Sequence, residues 1–150
     1  MSNIRNMKQE FINSVLGSPA EASADALQSN MNQLLNSFFN LSFVGMVILS
    51  PKTHRFVHIN DQTCVLTGYS REELLEKTWR EITHPDDLEY ALTQIFKLYN
   101  READSVIFEH RIIRKNGSAA IVTADVKCIS RPDGDIEYVI ATAQDITQRR

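Results

Sequence analysis

The sequence predicts an α+β fold, one five-stranded antiparallel sheet with helices on one face, preceded by N-terminal amphipathic helices. Three observations lead there. Strand-like apolar and β-branched runs begin only at Phe43; before it the chain is rich in Asn, Gln and Ser, with apolar residues at helical spacing. Two strands are then followed by several helix signals and three more strands. Those last strands are joined by Asn116-Gly117 and Pro132-Asp133-Gly134, turn sequences that reverse the chain and leave neighbouring strands antiparallel. With 150 residues, 43% hydrophobic and 23% charged, the chain suits one domain with a core plus a tail, and neither a disordered tract nor a fibrous repeat.

Taken in order, Ile4, Met7, Phe11 and Val15 recur at helical steps until Gly17-Ser18-Pro19 stops the pattern. A second helix is expected from about Ser23 to Asp25. Its apolar residues Leu27, Met31, Leu34, Phe38 and Leu41 step by 4, 3, 4 and 3, a heptad seam that suits either a helix lying on its own sheet or one shared in a homodimer. Phe43–Leu49 and Arg55–Ile59 form the first hairpin. Asn60 or Asp61 caps a short helix that Gly68 ends, and Ser70-Arg71-Glu72-Glu73 is a capping box opening another. His84-Pro85-Asp86-Asp87 starts the longest central helix, with proline suited to its first position and the aspartates to its positive end. Leu88, Leu92, Ile95 and Tyr99 are its expected buried stripe. Ser105–Arg114, Ser118–Ser130 and Ile136–Gln144 complete the sheet.

Several function classes drop out. A formal charge of -3 lacks the basic excess of a nucleic-acid binder. The longest apolar run, Phe43 to Leu49, is far below the roughly 18 residues of a membrane span, and MSNIRNMKQEF has no signal-peptide core. Cys64 and Cys128 form no CxxC pair, so the expected setting is a reducing cytosol and the localisation cytoplasmic. There is no Gly-rich phosphate loop, no GxSxG elbow and no nucleophile beside a base, so no enzyme activity is expected within this chain. His54 and His58 have no carboxylate or cysteine at ligand spacing, and no metal site is expected.

The segment HINDQTCVLTGYSREELLEKTWREITHPDDLEYA, the meander FEHRIIRKNGSAAIV and the closing Asp145-Ile146-Thr147 together resemble the PAS family of small sensory domains. The resemblance covers roughly residues 43–147 and implies the profilin-like PAS fold, often enclosing a small-molecule pocket. It also implies a role in signal transduction rather than catalysis. Residues 1–42 are then a helical extension for dimerisation or sheet capping, and 148–150 the start of a truncated linker helix to a downstream effector outside this chain. That effector could be a histidine kinase, a cyclic-dinucleotide enzyme or a transcription factor. Asp145, Ile146 and Thr147 are the expected signal relay.

Alternation in the strand Ala119–Ser130 places Ala120, Val122, Ala124, Val126 and Cys128 on an apolar interior face. By register with similar PAS domains, Phe108, His110 and Ile112 share that interior, as do Val139, Ala141 and Ala143. The candidate ligand-binding residues are Val47, Leu49, Cys64, Tyr69, Trp79, Phe108, His110, Ile112, Val122, Ala124, Val126, Ala141 and Ala143. They suggest a small apolar or amphipathic ligand, and the rival reading is a ligand-free dimerisation scaffold with a filled core. His110 is either a hydrogen-bonded core histidine or a ligand contact.

No cofactor is required by the sequence, and haem and flavin are the lesser alternatives. The resemblance places Trp79 where the light-oxygen-voltage branch carries its reactive cysteine, and Ile112, Val122 and Ala143 at positions where that branch hydrogen-bonds its flavin ring. Adduct photochemistry has no thiol to run on. Haem-binding relatives commonly take a histidine from the long helix, and Pro85 to Arg101 contains none. Glu109 and Arg111, on the outer face of their strand, are expected to pair with each other or a neighbour.

Overall fold

The computed structural model of the protein describes residues 24–41 and 43–149. The first expected helix, with Ile4, Met7, Phe11, Val15 and its Gly17-Ser18-Pro19 stop, lies outside the described residues. The chain divides into two compact units, Met1–Leu41 and Ser42–Arg150.

In the first unit, α1 (Ala24–Leu41) opens with Asp25 in its first turn, where a carboxylate favours the positive end of the helix dipole. Its polar side is laced by contacts one turn apart, such as Gln28 Nε2 donating to Asn32 Oδ1 at 2.9 Å. Leu27, Met31 and Leu34 are half-buried, Phe38 and Leu41 are exposed, and no residue of the helix is buried.

The second unit holds β1 (Gly45–Leu49), β2 (Phe56–Ile59), four helices, and then β3 (Ser105–Ile113), β4 (Ala119–Ser130) and β5 (Ile136–Asp145). The helices are α2 (Asp61–Thr67), α3 (Arg71–Leu75), α4 (Trp79–Ile82) and α5 (Pro85–Tyr99). All strand pairs are antiparallel, in the order β2-β1-β5-β4-β3. The last strand inserts beside the first hairpin, so the two ends of the domain share the middle of one sheet.

Local chemistry sets the helix boundaries. Asn60 caps α2: its Oδ1 accepts from Thr63 N at 3.1 Å and from Met46 N at 2.8 Å, and its Nδ2 donates to Val44 O at 3.0 Å. One fully buried amide therefore closes a helix and ties it to the entry of β1. Gly68 ends that helix at φ 78°, a conformation a β-carbon would strain. Gly45 serves close approach instead, since a β-carbon there would sit 2.9 Å from Thr63 Oγ1. Ser70 and Glu73 form the reciprocal capping box of α3. His84 caps α5 with its Nδ1 accepting from Asp86 N at 3.1 Å, and Pro85 follows at the first turn.

The buried positions of α5 are Ala91, Ile95 and Leu98, while Leu88, Leu92 and Tyr99 are half-buried. The expected stripe is thus turned by about one residue. On that side Ala91, fully buried, joins the core cluster. Arg111 pairs with a neighbour, making a bidentate contact with Asp87, Nε to Oδ2 at 2.9 Å and Nη2 to Oδ1 at 2.8 Å. Its backbone N–H also donates to Asp87 Oδ2 at 2.7 Å, so the start of α5 is bolted to β3.

Candidate functional site

The core lies between the helices and the inner sheet face, where burial in β4 alternates strictly through Ala120, Val122, Ala124 and Val126. Within it is a cavity of about 90 Å³. Strand pairing explains the space. Ala143 stands opposite Ala124, and Ala141 opposite Val126 and Val47, so small side chains gather at the middle of β4 and β5. Phe108, paired with Ala124 on the other side, forms the next wall.

Eleven of the thirteen residues expected to line a pocket surround this cavity: Val47, Leu49, Trp79, Phe108, His110, Ile112, Val122, Ala124, Val126, Ala141 and Ala143. Cys64 and Tyr69 pack against the core cluster from outside and do not line it. Burial pushes the thiols of Cys64 and Cys128 up, away from the reactive thiolate. The wall also contains Val139, which the sequence reading put on the interior face without naming it a ligand contact, and residues it did not place there, among them Phe56, Ile82, Ile95 and Tyr99. Ile95 and Tyr99 had a signal, since both belong to the apolar stripe of the long helix. Thr63, Thr67 and Thr83 had none, because a search for apolar periodicity passes over hydroxyls.

Those threonine hydroxyls donate inside their own elements. Thr67 Oγ1 donates to Thr63 O at 2.9 Å, Thr83 Oγ1 to Trp79 O at 2.9 Å, and Thr63 Oγ1 to Asn60 Oδ1 at 2.8 Å. His110 is different. Its Nδ1 is buried with no hydrogen-bond partner, and its ring packs on Phe108 with centroids 5.3 Å apart. Burial holds its pKa down at about 4 against the opposing pull of the Asp87 carboxylate, so the imidazole is neutral at physiological pH. Trp79 stands between the cavity and the surface, its ring stacked at 6.2 Å on His54, whose Nδ1 is likewise buried and unpartnered. Burial and the nearby Arg80 charge lower the His54 pKa.

Neither haem nor flavin fits this wall. The cavity is far smaller than a tricyclic flavin, and Ile112, Val122 and Ala143 present no hydrogen-bonding side chain to a ring. No histidine lies on α5, and His84 is committed to capping it. Among the described residues no group of three metal-ligating side chains occurs.

At the end of the sheet, Asp145 Oδ1 accepts from Thr147 N at 2.9 Å, and Thr147 Oγ1 accepts from Ile121 N at 3.0 Å. Ile146, buried between them, donates its N–H to Ile121 O at 2.8 Å. Arg114 joins this corner to the cavity wall: Nη2 lies 3.3 Å from Asp145 Oδ2, and Nε donates to Leu66 O at 3.2 Å. Leu66 and Thr67, the last turn of α2, both face the cavity.

Comparison with known proteins gives this arrangement a family. The family model described as "PAS fold" matches residues 56–143, more than half of the chain. A probable diguanylate cyclase, DgcE of Escherichia coli K12, is 31% identical over 107 residues, which are 71% of this chain and 10% of that protein. The chain thus spans about a tenth of the length of the curated relatives it matches. The crystal structure of a PAS domain from Colwellia psychrerythraea has a TM-score of 0.71 at 19% identity, covering 79% of this chain and 99% of that one. The N-terminal domain of a Marinobacter aquaeolei diguanylate cyclase with PAS/PAC sensor has a TM-score of 0.62 at 19% identity, over 71% and 97% of the two chains. The five-stranded antiparallel sheet, its helices and the matched sequence agree: the chain belongs to the PAS family.

Proposed function

We propose that this PAS sensory domain takes a small, largely apolar ligand into the cavity under the sheet and relays the change through Asp145, Ile146 and Thr147 to an effector. The observation that carries the reading is the cavity of about 90 Å³, walled by residues of all five strands and of α2, α4 and α5, among them His110, whose Nδ1 is buried without a hydrogen-bond partner. A ligand that prefers one packing of α2 against the sheet shifts Leu66, and Arg114 passes that shift to Asp145. A ligand with equal affinity for both packings transmits nothing. The resemblance to DgcE makes cyclic-dinucleotide synthesis the favoured output, in a domain beyond residues 43–147. The test is native mass spectrometry of purified protein with an absorption spectrum. A copurified small molecule without visible absorbance supports the reading, and a chain that neither carries nor takes up any small molecule sinks it.

A second reading has its own support. Leu27, Met31, Leu34, Phe38 and Leu41 keep their heptad spacing on α1 with none of them buried, and the outer sheet face exposes Val57, Ile107, Ile129 and Tyr138. These surfaces suit a homodimer, in which residues 1–42 act as the association arm. Leu34→Asp is expected to convert dimer to monomer in analytical ultracentrifugation. Unchanged association removes α1 from the interface.

A further inference from the structure

What the cavity wall lacks limits what the cavity can hold, on the reading that it is the sensory site. None of its lining residues is Asp, Glu, Lys or Arg. Its two titratable side chains are both neutral at physiological pH, since burial holds the His110 imidazole down at about 4 and pushes the Tyr99 phenol up. An ion entering this space would give up its hydration with no opposite charge to meet it, a loss that neutral dipoles do not make good.

The neutral polar groups of the wall do not demand a bonded ligand either. Thr63, Thr67 and Thr83 donate their hydroxyls to oxygens of the fold. Thr142 belongs to the outward set of β5, between the inward Ala141 and Ala143. The Tyr99 oxygen and the Trp79 nitrogen are not among the buried atoms left without a partner. The rest of the wall is hydrocarbon, and such a surface gains most from an apolar guest.

Strand register sets the size. Ala124, Ala141 and Ala143 gather at the middle of β4 and β5, with Val126, Phe108 and Val47 in register beside them. The space they leave is about 90 Å³. An apolar cavity of about 150 Å³ holds benzene, with six carbons, so in proportion the smaller space admits about four non-hydrogen atoms. We infer that the cavity selects uncharged, chiefly apolar molecules of up to about four non-hydrogen atoms, short branched hydrocarbons being the simplest members, and rejects both ions of that size and aromatic rings.

Two comparisons separate charge from size. 2-Methylpropene and acetate are both planar with the same number of non-hydrogen atoms and differ in charge, whereas benzene is apolar and larger. The experiment uses the full 150-residue chain and follows the Ala124 and Ala143 methyls by NMR during titration with xenon, 2-methylpropene, acetate and benzene. Xenon reports the open space, since it enters dry apolar cavities. Xenon and 2-methylpropene should shift both methyls and acetate neither. The Kd for benzene should be about tenfold weaker than that for 2-methylpropene, because the ring overfills a packed space. Val126→Ala trims the wall beside Ala141 and should close most of that gap. If the variant does not fold, the wild-type Kd values still decide. Benzene bound as tightly as 2-methylpropene by the wild type, methyl shifts with acetate, or xenon uptake without 2-methylpropene binding overturns the inference and leaves the sensory reading standing. Failure of both xenon and 2-methylpropene to bind overturns both.

Discussion

Ala124→Val turns the empty space under the sheet into a question with a sign. Ala124 is 6% exposed, lies in register with Ala143 and Phe108, and lines the cavity. Valine adds two carbon groups, roughly 60 Å³ at about 30 Å³ each, against a cavity of about 90 Å³. Burying two such groups contributes about 1.6 kcal/mol at ~0.8 kcal/mol per methylene. The same step counted as cavity removed, at ~24 cal/mol per Å³, comes to about 1.4 kcal/mol. Losing some rotamer freedom leaves about 1 kcal/mol, and valine suits a central strand. Urea unfolding of the wild type and the variant should therefore show a midpoint higher by about 0.5 M, for a slope near ~2 kcal/mol/M. The variant should also lose binding of xenon, which enters dry apolar spaces. If the midpoint falls at unchanged slope, the valine is overpacking a filled core, which costs about 1–3 kcal/mol, and the cavity argument is wrong.

Three further perturbations test other parts of the argument. His110 is neutral in the fold with its pKa at about 4 against 6.5 for the free group, so the unfolded chain gains a proton at a higher pH than the folded one. Its contribution is fully present above pH ~6.5 and is lost as pH falls toward ~4, by up to about 3 kcal/mol. His110→Phe should flatten the stability profile in that window, leaving the slope from His54 and, toward its acid end, those from the carboxylates of Asp87 and Glu73; an unchanged profile would show that His110 is solvated. Asn60→Ala leaves Met46 N and Thr63 N short of their shared acceptor and should cost about 3 kcal/mol by thermal or chemical unfolding; a loss below ~1 kcal/mol contradicts its role as the tie between β1 and α2. Arg114→Ala removes partly exposed contacts worth about 1 kcal/mol. It should speed hydrogen exchange at the Ile121 and Ile146 amides and abolish any ligand effect there, whereas a retained ligand effect would route the signal elsewhere.

Much of this architecture was legible in the order of residues because the signals are local. Period-two alternation from Ala120 to Val126, the Ser70–Glu73 capping box and the His84-Pro85 helix start each depend on neighbours a few positions away, and the structure reproduces them. Eleven cavity-facing residues could be named for the same reason, once strand register was borrowed from similar PAS domains.

Other features depend on pairs far apart in the chain. Arg111 finds Asp87 because β3 passes the start of α5, 24 residues earlier. Asn60 holds three partners, Val44, Met46 and Thr63, and which side of α5 is buried, that of Ala91, Ile95 and Leu98, is set by what the helix packs against. By itself the sequence determined the elements from Phe43 onward, their order and the face β4 turns inward, since these follow from backbone propensity and periodicity. Only the tertiary structure decided that the alanines of β4 and β5 leave a space and that His110 Nδ1 is stranded beside it. A void and an unpaired atom are properties of everything around them, and no single stretch of sequence encodes them.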